Sequence, residues 1–410
     1  MRPWLVFLPI ASLACGSEAR RSGSFDDAML IASEELRVGS PDDPEAAFTW
    51  FRDLEVGPDG SIFTAHPQES QIRVHDASGS FVRTIGRQGE GPGEFDRVGP
   101  MAIVGDTLWV LDYGLYRFSY FDLEGNLLRT RRIPIDLGDS RTDIPPRPRG
   151  LLRDGTIIGS PPAFSDLVAS GDLTENYFVR MDTLGNAADT IATYSLVNTT
   201  WEITNNETGP AYFGSYQSQP FSDAEIVRVS DYDMTAVRVT RGPPGADDPP
   251  AFTVTVWEID GDTVFSRAFP YNPIPLRTAI VDSIIDEFAE SVASSRFLAG
   301  RATFDEAARW ARESLYLPEY HPPVSSLVIG ADGQLWLRAE ELGEPVSKWR
   351  ILSADRDPVG VVELPSGFAM LYARGMQVWG SEYDELDVPY IVRYRITEQG
   401  DRAILHQLTP

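Results

Sequence analysis

The chain has 410 residues and carries 61 acidic against 35 basic side chains, a formal charge of −26. Such a balance argues against nucleic acid as a partner and against electrostatic docking on anionic membranes. Hydrophobic residues make up 42% of the chain, enough for a substantial core, and a single cysteine excludes an internal disulfide. Lysine occurs once, at Lys348, which leaves little room for Schiff-base chemistry.

Taken in order, the chain opens on an export signal. Arg2 precedes an apolar stretch from Trp4 to Ala14, too short to span a bilayer. The expected organisation is a signal over 1–15 ending at Cys15, a flexible tether over 16–27, and one folded unit over 28–410. Residues 53–95 then set the pattern for the rest. Leu54-Glu55-Val56, Ser61–Ala65, Gln71–His75 and Phe81–Ile85 alternate apolar and polar residues. Turns at Val56-Gly57-Pro58-Asp59-Gly60 and Asp76-Ala77-Ser78-Gly79 separate them, so the segment predicts a four-stranded antiparallel meander. A Gly-rich connector from Gly86 to Phe95 leads onward.

The meander repeats. Leu54-Glu55-Val56 matches Met101-Ala102-Ile103 at an offset of about 47, and Asp76-Ala77-Ser78-Gly79 matches Asp122-Leu123-Glu124-Gly125 at about 46. A four-stranded unit of that period is the signature of a β-propeller. Further copies run over 101–133, about 149–194, about 221–269 (degenerate), 324–364 and 368–396. The sixth copy lacks an obvious fourth strand, while Leu36-Arg37-Val38-Gly39 resembles a fourth strand without a copy of its own. The segment around Ser33–Val38 is therefore expected to complete the last blade and join the chain ends. One insertion, 276–317, is helical. Ile280, Val281, Ile284, Ile285, Phe288 and Val292 form an apolar stripe, and Thr303-Phe304-Asp305-Glu306 is a capping box opening a second helix. This αα segment between the fourth and fifth copies reads as a packed cover on one face, or as a lid or partner surface.

Two resemblances follow from these motifs. Ala11-Ser12-Leu13-Ala14-Cys15-Gly16 resembles a bacterial lipobox, with Ser12 where leucine is usual. That likeness implies lipidation of Cys15 and, with Gly16 following, an outer-membrane lipoprotein facing the periplasm. The run from Val56 through Gly89-Glu90-Gly91-Pro92-Gly93-Glu94-Phe95 resembles the NHL-type six-bladed β-propellers, in which a Pro-Asp-Gly turn and a Gly-Pro-Gly-Glu-Phe connector recur. Taken whole, the chain is similar to exported bacterial six-bladed propeller lipoproteins of unassigned function. The resemblance implies an all-β fold, but propellers host binding scaffolds, lactonases and lyases alike.

Chemistry-bearing residues are sparse. None of His66, His75, His321 and His406 pairs with another at a ligand spacing, so each is read as a surface or packing residue. Trp109, Trp336 and Trp379 fall on second strands and are expected between blades. Polar residues do recur just before the innermost strands: Arg52, Asp53, Arg97, Arg149 and Asp223. A ring of these around the channel mouth would bind a small polar or anionic ligand through arginine forks; inter-blade salt bridging is the other reading. The expected function is a non-enzymatic cell-envelope module for a small polar ligand or an envelope protein, with no cofactor and no catalytic or metal residue assigned. The alternative is a metal-assisted, lactonase-like hydrolase or lyase with a divalent cation at the channel mouth.

Overall fold

The structure, a computed structural model, describes residue 25 and residues 28–40, 47–134, 146–161, 175–205, 214–241, 250–294, 302–339 and 342–398. Strand β1 is Met29–Val38. Blade one is β2 (Asp53–Val56), β3 (Ile62–His66), β4 (Gln71–His75) and β5 (Phe81–Ile85). Blade two is β6 (Val98–Val104), β7 (Thr107–Asp112), β8 (Arg117–Asp122) and β9 (Leu127–Arg132). Blade three is β10 (Arg147–Leu151), β11 (Ile157–Ser160), β12 (Glu175–Met181) and β13 (Ala187–Ser195). A separate hairpin, β14 (Thr200–Thr204) and β15 (Gly214–Ser218), comes next. Blade four is β16 (Ile226–Val229), β17 (Thr235–Thr240), β18 (Ala251–Glu258) and β19 (Thr263–Pro270). Helices α1 (Thr278–Ser294) and α2 (Phe304–Ser314) precede blade five, which is β20 (Ser326–Ile329), β21 (Leu335–Ala339), β22 (Val346–Leu352) and β23 (Pro358–Pro365). Blade six is β24 (Ala369–Arg374), β25 (Gln377–Tyr383) and β26 (Pro389–Glu398), with β1 as its fourth strand.

The ring closes as the repeat arithmetic requires. Strand β1 runs antiparallel to β26, with Leu30 opposite Glu398 and Val38 opposite Ile391. Its first residues, Met29 and Leu30, also bridge in parallel to Val361 and Val362 of blade five. The closing strand thus begins four residues before the expected Ser33.

Strand alternation builds the core between blades. In β3, Phe63 and Ala65 face blade two and pack with Phe95, Met101, Leu108 and Phe121. Ile62 lies on the opposite face, in the cluster of Leu54, Val56, Tyr372, Trp379 and Ile391 at the closing seam. Trp109, Trp336 and Trp379 are all buried. Each flank of a blade is covered by its neighbour, which is why no single sheet could stand alone. The connector after β5 folds tightly: a Cβ at Gly86 would lie 2.3 Å from the buried Phe95 ring.

Phe25 is buried in the seam between blades four and five, with ring centroids 4.8 Å from Phe269 and 6.4 Å from Phe252. The rest of the 16–27 segment lies outside the described residues, as does Cys15. We expect Phe25→Ala to cost about 3 kcal/mol in denaturant unfolding, the usual loss for a truncated buried phenylalanine. A change within error would mean that Phe25 does not anchor the segment.

The insertion is more than two helices. Trp201 and Ile203 of β14 join Phe221, Val281, Ile285, Phe288, Ala289, Val292, Ala307 and Ala311 in a core of their own. Trp201 Nε1 donates to Ala311 O (3.2 Å) and to Ser314 Oγ (3.1 Å). Thr303 caps α2: its Oγ1 accepts from Glu306 N–H, while Glu306 accepts from Thr303 N–H. Hairpin and helices enter through the connectors that precede β16 and β20. They form a cap on the face where the inner strands begin.

Candidate ligand site at the central tunnel

The inner strands β2, β6, β10, β16, β20 and β24 line the axis. Asp53 and Glu55 sit two residues apart on β2, hence on one side of the strand. Asp53 Oδ1 accepts from Leu54 N–H and Oδ2 from Met101 N–H, each at 3.0 Å. Glu55 Oε2 accepts from Ile103 N–H at 3.3 Å. The two carboxylates thus satisfy amides on the edge of β6. Glu55 Oε1 accepts from the Tyr232 hydroxyl at 2.5 Å, across the axis from the turn that follows β16.

A third acid, Asp231, stands beside Tyr232. Its carboxylate meets blade three at Gly150, where a Cβ would lie 3.2 Å from Oδ2. It makes no hydrogen bond among the described residues. Burial pushes Asp231 up to about 8, with the Asp53 charge adding to it. Burial likewise raises Glu55 well above the carboxylate range, again reinforced by Asp53. Asp53 itself is raised by burial and partly relieved by its two amide bonds and by Arg52. Asp53 and Asp231 are half-buried by area because they line a tunnel, yet they lie deep within the protein and are desolvated accordingly.

At the mouth, the buried Asp112 organises the loop around β6. Its carboxylate accepts from the N–H groups of Asp96 (2.9 Å), Arg97 (3.2 Å), Gly114 (3.0 Å) and Leu115 (3.1 Å). Tyr113 N–H donates to Arg97 O at 3.0 Å. The Arg52 guanidinium lies over the Tyr113 ring, 5.4 Å from its centroid. Arg52 and Arg97 are exposed and make no side-chain hydrogen bond among the described residues.

The five residues expected to ring the mouth therefore have different settings. Arg52, Asp53 and Arg97 converge where blades one and two meet. Arg149 is bound across its own blade, through Nε to Ser160 Oγ (2.6 Å) and through a second nitrogen to Pro161 O (3.3 Å). Asp223 accepts from the Tyr316 hydroxyl of the cap at 2.6 Å. Glu55, Asp231 and Tyr232 escape a reading of the sequence. Glu55 is one polar residue in an alternating strand. Asp231 and Tyr232 lie in the degenerate fourth copy.

The described histidines are packing residues, not surface ones. His66, His75 and His321 are all buried. His66 Nε2 meets Thr64 Oγ1 at 2.9 Å and its ring stacks on Phe48, while His75 packs edge-on to Phe48 and Phe81. His406 lies outside the described residues. No group of three or more metal-ligating side chains occurs among the described residues.

A family model described as a 6-bladed beta-propeller, DUF5128, matches residues 57–145. That stretch runs from the first Pro-Asp-Gly turn through blade two. The chain is a six-bladed β-propeller. No curated protein matches it. Among solved structures it is similar to a member of the DUF4221 family from Bacteroides vulgatus, at 10% identity and TM-score 0.45, over 90% of this chain and 99% of that one. It is also similar to virginiamycin B lyase from Staphylococcus aureus, at 11% identity and TM-score 0.37, over 89% of this chain and 99% of that one. The PQQ-bound aldose sugar dehydrogenase from Streptomyces coelicolor follows at 12% identity and TM-score 0.38, over 89% and 98%.

Proposed function

We propose that this propeller is an exported, lipid-anchored binding module that takes a small anionic ligand at the tunnel mouth without transforming it. The observation that carries this is the pairing of Arg52 and Arg97 about Tyr113. The Arg52 guanidinium lies over the Tyr113 ring, the exposed Arg97 of the neighbouring connector is joined to Tyr113 through its backbone carbonyl, and neither arginine side chain is in an ion pair among the described residues. Such forks suit carboxylate or phosphate, and the ring adds a stacking surface. Beneath them, burial pushes Asp231 up to about 8 and raises Glu55 as well, so the tunnel does not repel an anion with their full charge.

Anchoring rests on Cys15. Nine residues separate Cys15 from the buried Phe25. An extended segment of that length holds the blade four–five seam within roughly 35 Å of a lipid attached at Cys15.

Thermal-shift titration with aliphatic dicarboxylates and inorganic phosphate tests the ligand class. A responding anion is expected to bind the Arg52→Ala/Arg97→Ala variant about tenfold or more weakly, the loss of one or two charge-assisted hydrogen bonds. Equal responses from the variant and the parent would refute the site.

A further inference from the structure

The turn after β16 differs from its counterparts by one residue. In blades one, three and five, the inner hairpin is closed by Gly57 N–H to Ser61 O, Leu152 N–H to Thr156 O and Gly330 N–H to Gln334 O, with three residues between. In blade four Ser230 N–H bonds to Thr235 O, with four between. The end of the turn is shared. Asp59, Asp154 and Asp233 each accept from the N–H and hydroxyl of the residue two further on, namely Ser61, Thr156 and Thr235. Gly60 and Gly155 take φ of +87° and +84°, and Met234 occupies the matching place at +59°. A methionine in the left-handed region is strained, so this turn is held by its contacts and not by local preference.

The surplus lies in Asp231 and Tyr232, and both point inward. Tyr232 leaves blade four and bonds to Glu55 of blade one, the opposite blade of six. Its ring joins the seam cluster of Leu54, Val56 and Tyr372. Asp231 abuts Gly150 of blade three. Two consecutive residues thus reach three other blades and fill the tunnel at the end away from the cap.

We propose that the Asp231–Tyr232 turn is a gate on the central tunnel, seated by the Tyr232–Glu55 hydrogen bond and unseated when Asp231 ionises against the fixed carboxylate of Asp53. The asymmetry is structural. Asp53 and Glu55 are tied to β6 by amide bonds, whereas Asp231 rides on the one-residue-longer turn. Repulsion between Asp231 and Asp53 therefore displaces the turn and leaves β2 in place. The other charged groups facing it are few. Arg52 flanks Asp53 from the mouth. Arg374 of β24 is held by Val56 O and Gly57 O, beside Tyr372. Asp332 faces Tyr372 from blade five. Asp233 of the same turn pairs with Arg356 at 3.7 Å. Burial places the Asp231 transition near pH 8, so the gate is shut at neutral pH and opens above it. A ligand entering at neutral pH then does so from the capped face alone. The gate stands independently of which ligand that is.

A thiol reporter beneath the turn tests this in the full-length protein. Ser230 is 3% exposed and lies at the foot of the gate. In a Cys15→Ser/Ser230→Cys background, iodoacetamide alkylation is followed from pH 6 to 9 and divided by the thiolate fraction titrated in the same variant. The corrected rate is expected to rise about tenfold in this parent and to stay flat after Asp231→Asn. After Tyr232→Phe it is expected to be fast already at pH 6. A flat parent, or an equal rise with Asp231→Asn, overturns the gate.

Discussion

A chain beginning at residue 39 loses its cooperative unfolding transition, and a synthetic peptide spanning residues 25–40 restores it. Strand β1 is the fourth strand of blade six, so its loss strips the whole outer edge of β26. It also removes Leu30 from the blade five–six core and Val38 from the closing seam, both buried. Each apolar side chain contributes about 1.5–3 kcal/mol by burial, and Phe25 is lost with them. Added to an unpaired strand edge, the total rivals the roughly 5–15 kcal/mol of net stability that domains possess. Circular dichroism melts of the truncated chain, with and without the peptide, decide the matter. A truncated chain that melts like the parent would mean that β1 decorates the ring without closing it.

Asp231→Asn and His75→Phe tilt the stability–pH profile in opposite directions. Asp231 has a folded-state pKa of about 8, against an unfolded value near 3.9. Between those values the native state keeps a proton that the unfolded chain releases. Native stability therefore falls as pH rises through the window. Asparagine removes that loss. The variant is expected to match the parent near pH 4 and to exceed it by a few kcal/mol at pH 8, less than the full shift implies because the tunnel admits water. His75 has the reverse sign. Burial, with Arg73 beside it, pulls it down to about 4, and burial does the same to His66. Below pH 6.5 the unfolded chain binds protons that the native histidines refuse, so stability drains away down to about pH 4. The expected loss is about 3 kcal/mol per histidine, and His75→Phe spares one share of it. Because the two windows overlap, the parent profile alone is ambiguous. Urea midpoints of parent and variants at pH 4, 6 and 8 separate them. Parallel profiles would remove both assignments.

The blades were legible because each begins with local chemistry. Pro58-Asp59-Gly60 and its counterparts need a left-handed residue at one fixed place, and alternation on either side fixes which face is buried. Asp53 was legible as a polar residue at the start of an inner strand. Arg149 and Asp223 shared that position, yet one is bound within its own blade and the other to the cap. Position in the repeat says nothing about which neighbour a long side chain finds. The β14–β15 hairpin went unseen although Thr200-Trp201-Glu202-Ile203-Thr204 alternates. Its partner strand is polar, and the hydrophobic face it covers belongs to helices far along the chain.

From its residues alone, this polypeptide specified a ring of six repeated sheets, the strand that completes it, and a helical pair with its cap. Those features are local or periodic, and spacing encodes them. What only the folded ring decided is the interior of the tunnel. Glu55 and Tyr232 are 177 positions apart and meet because closure sets blades one and four face to face. The unusual protonation of Asp231 follows from that enclosure, since desolvation is a property of the assembled surroundings and not of any stretch of sequence.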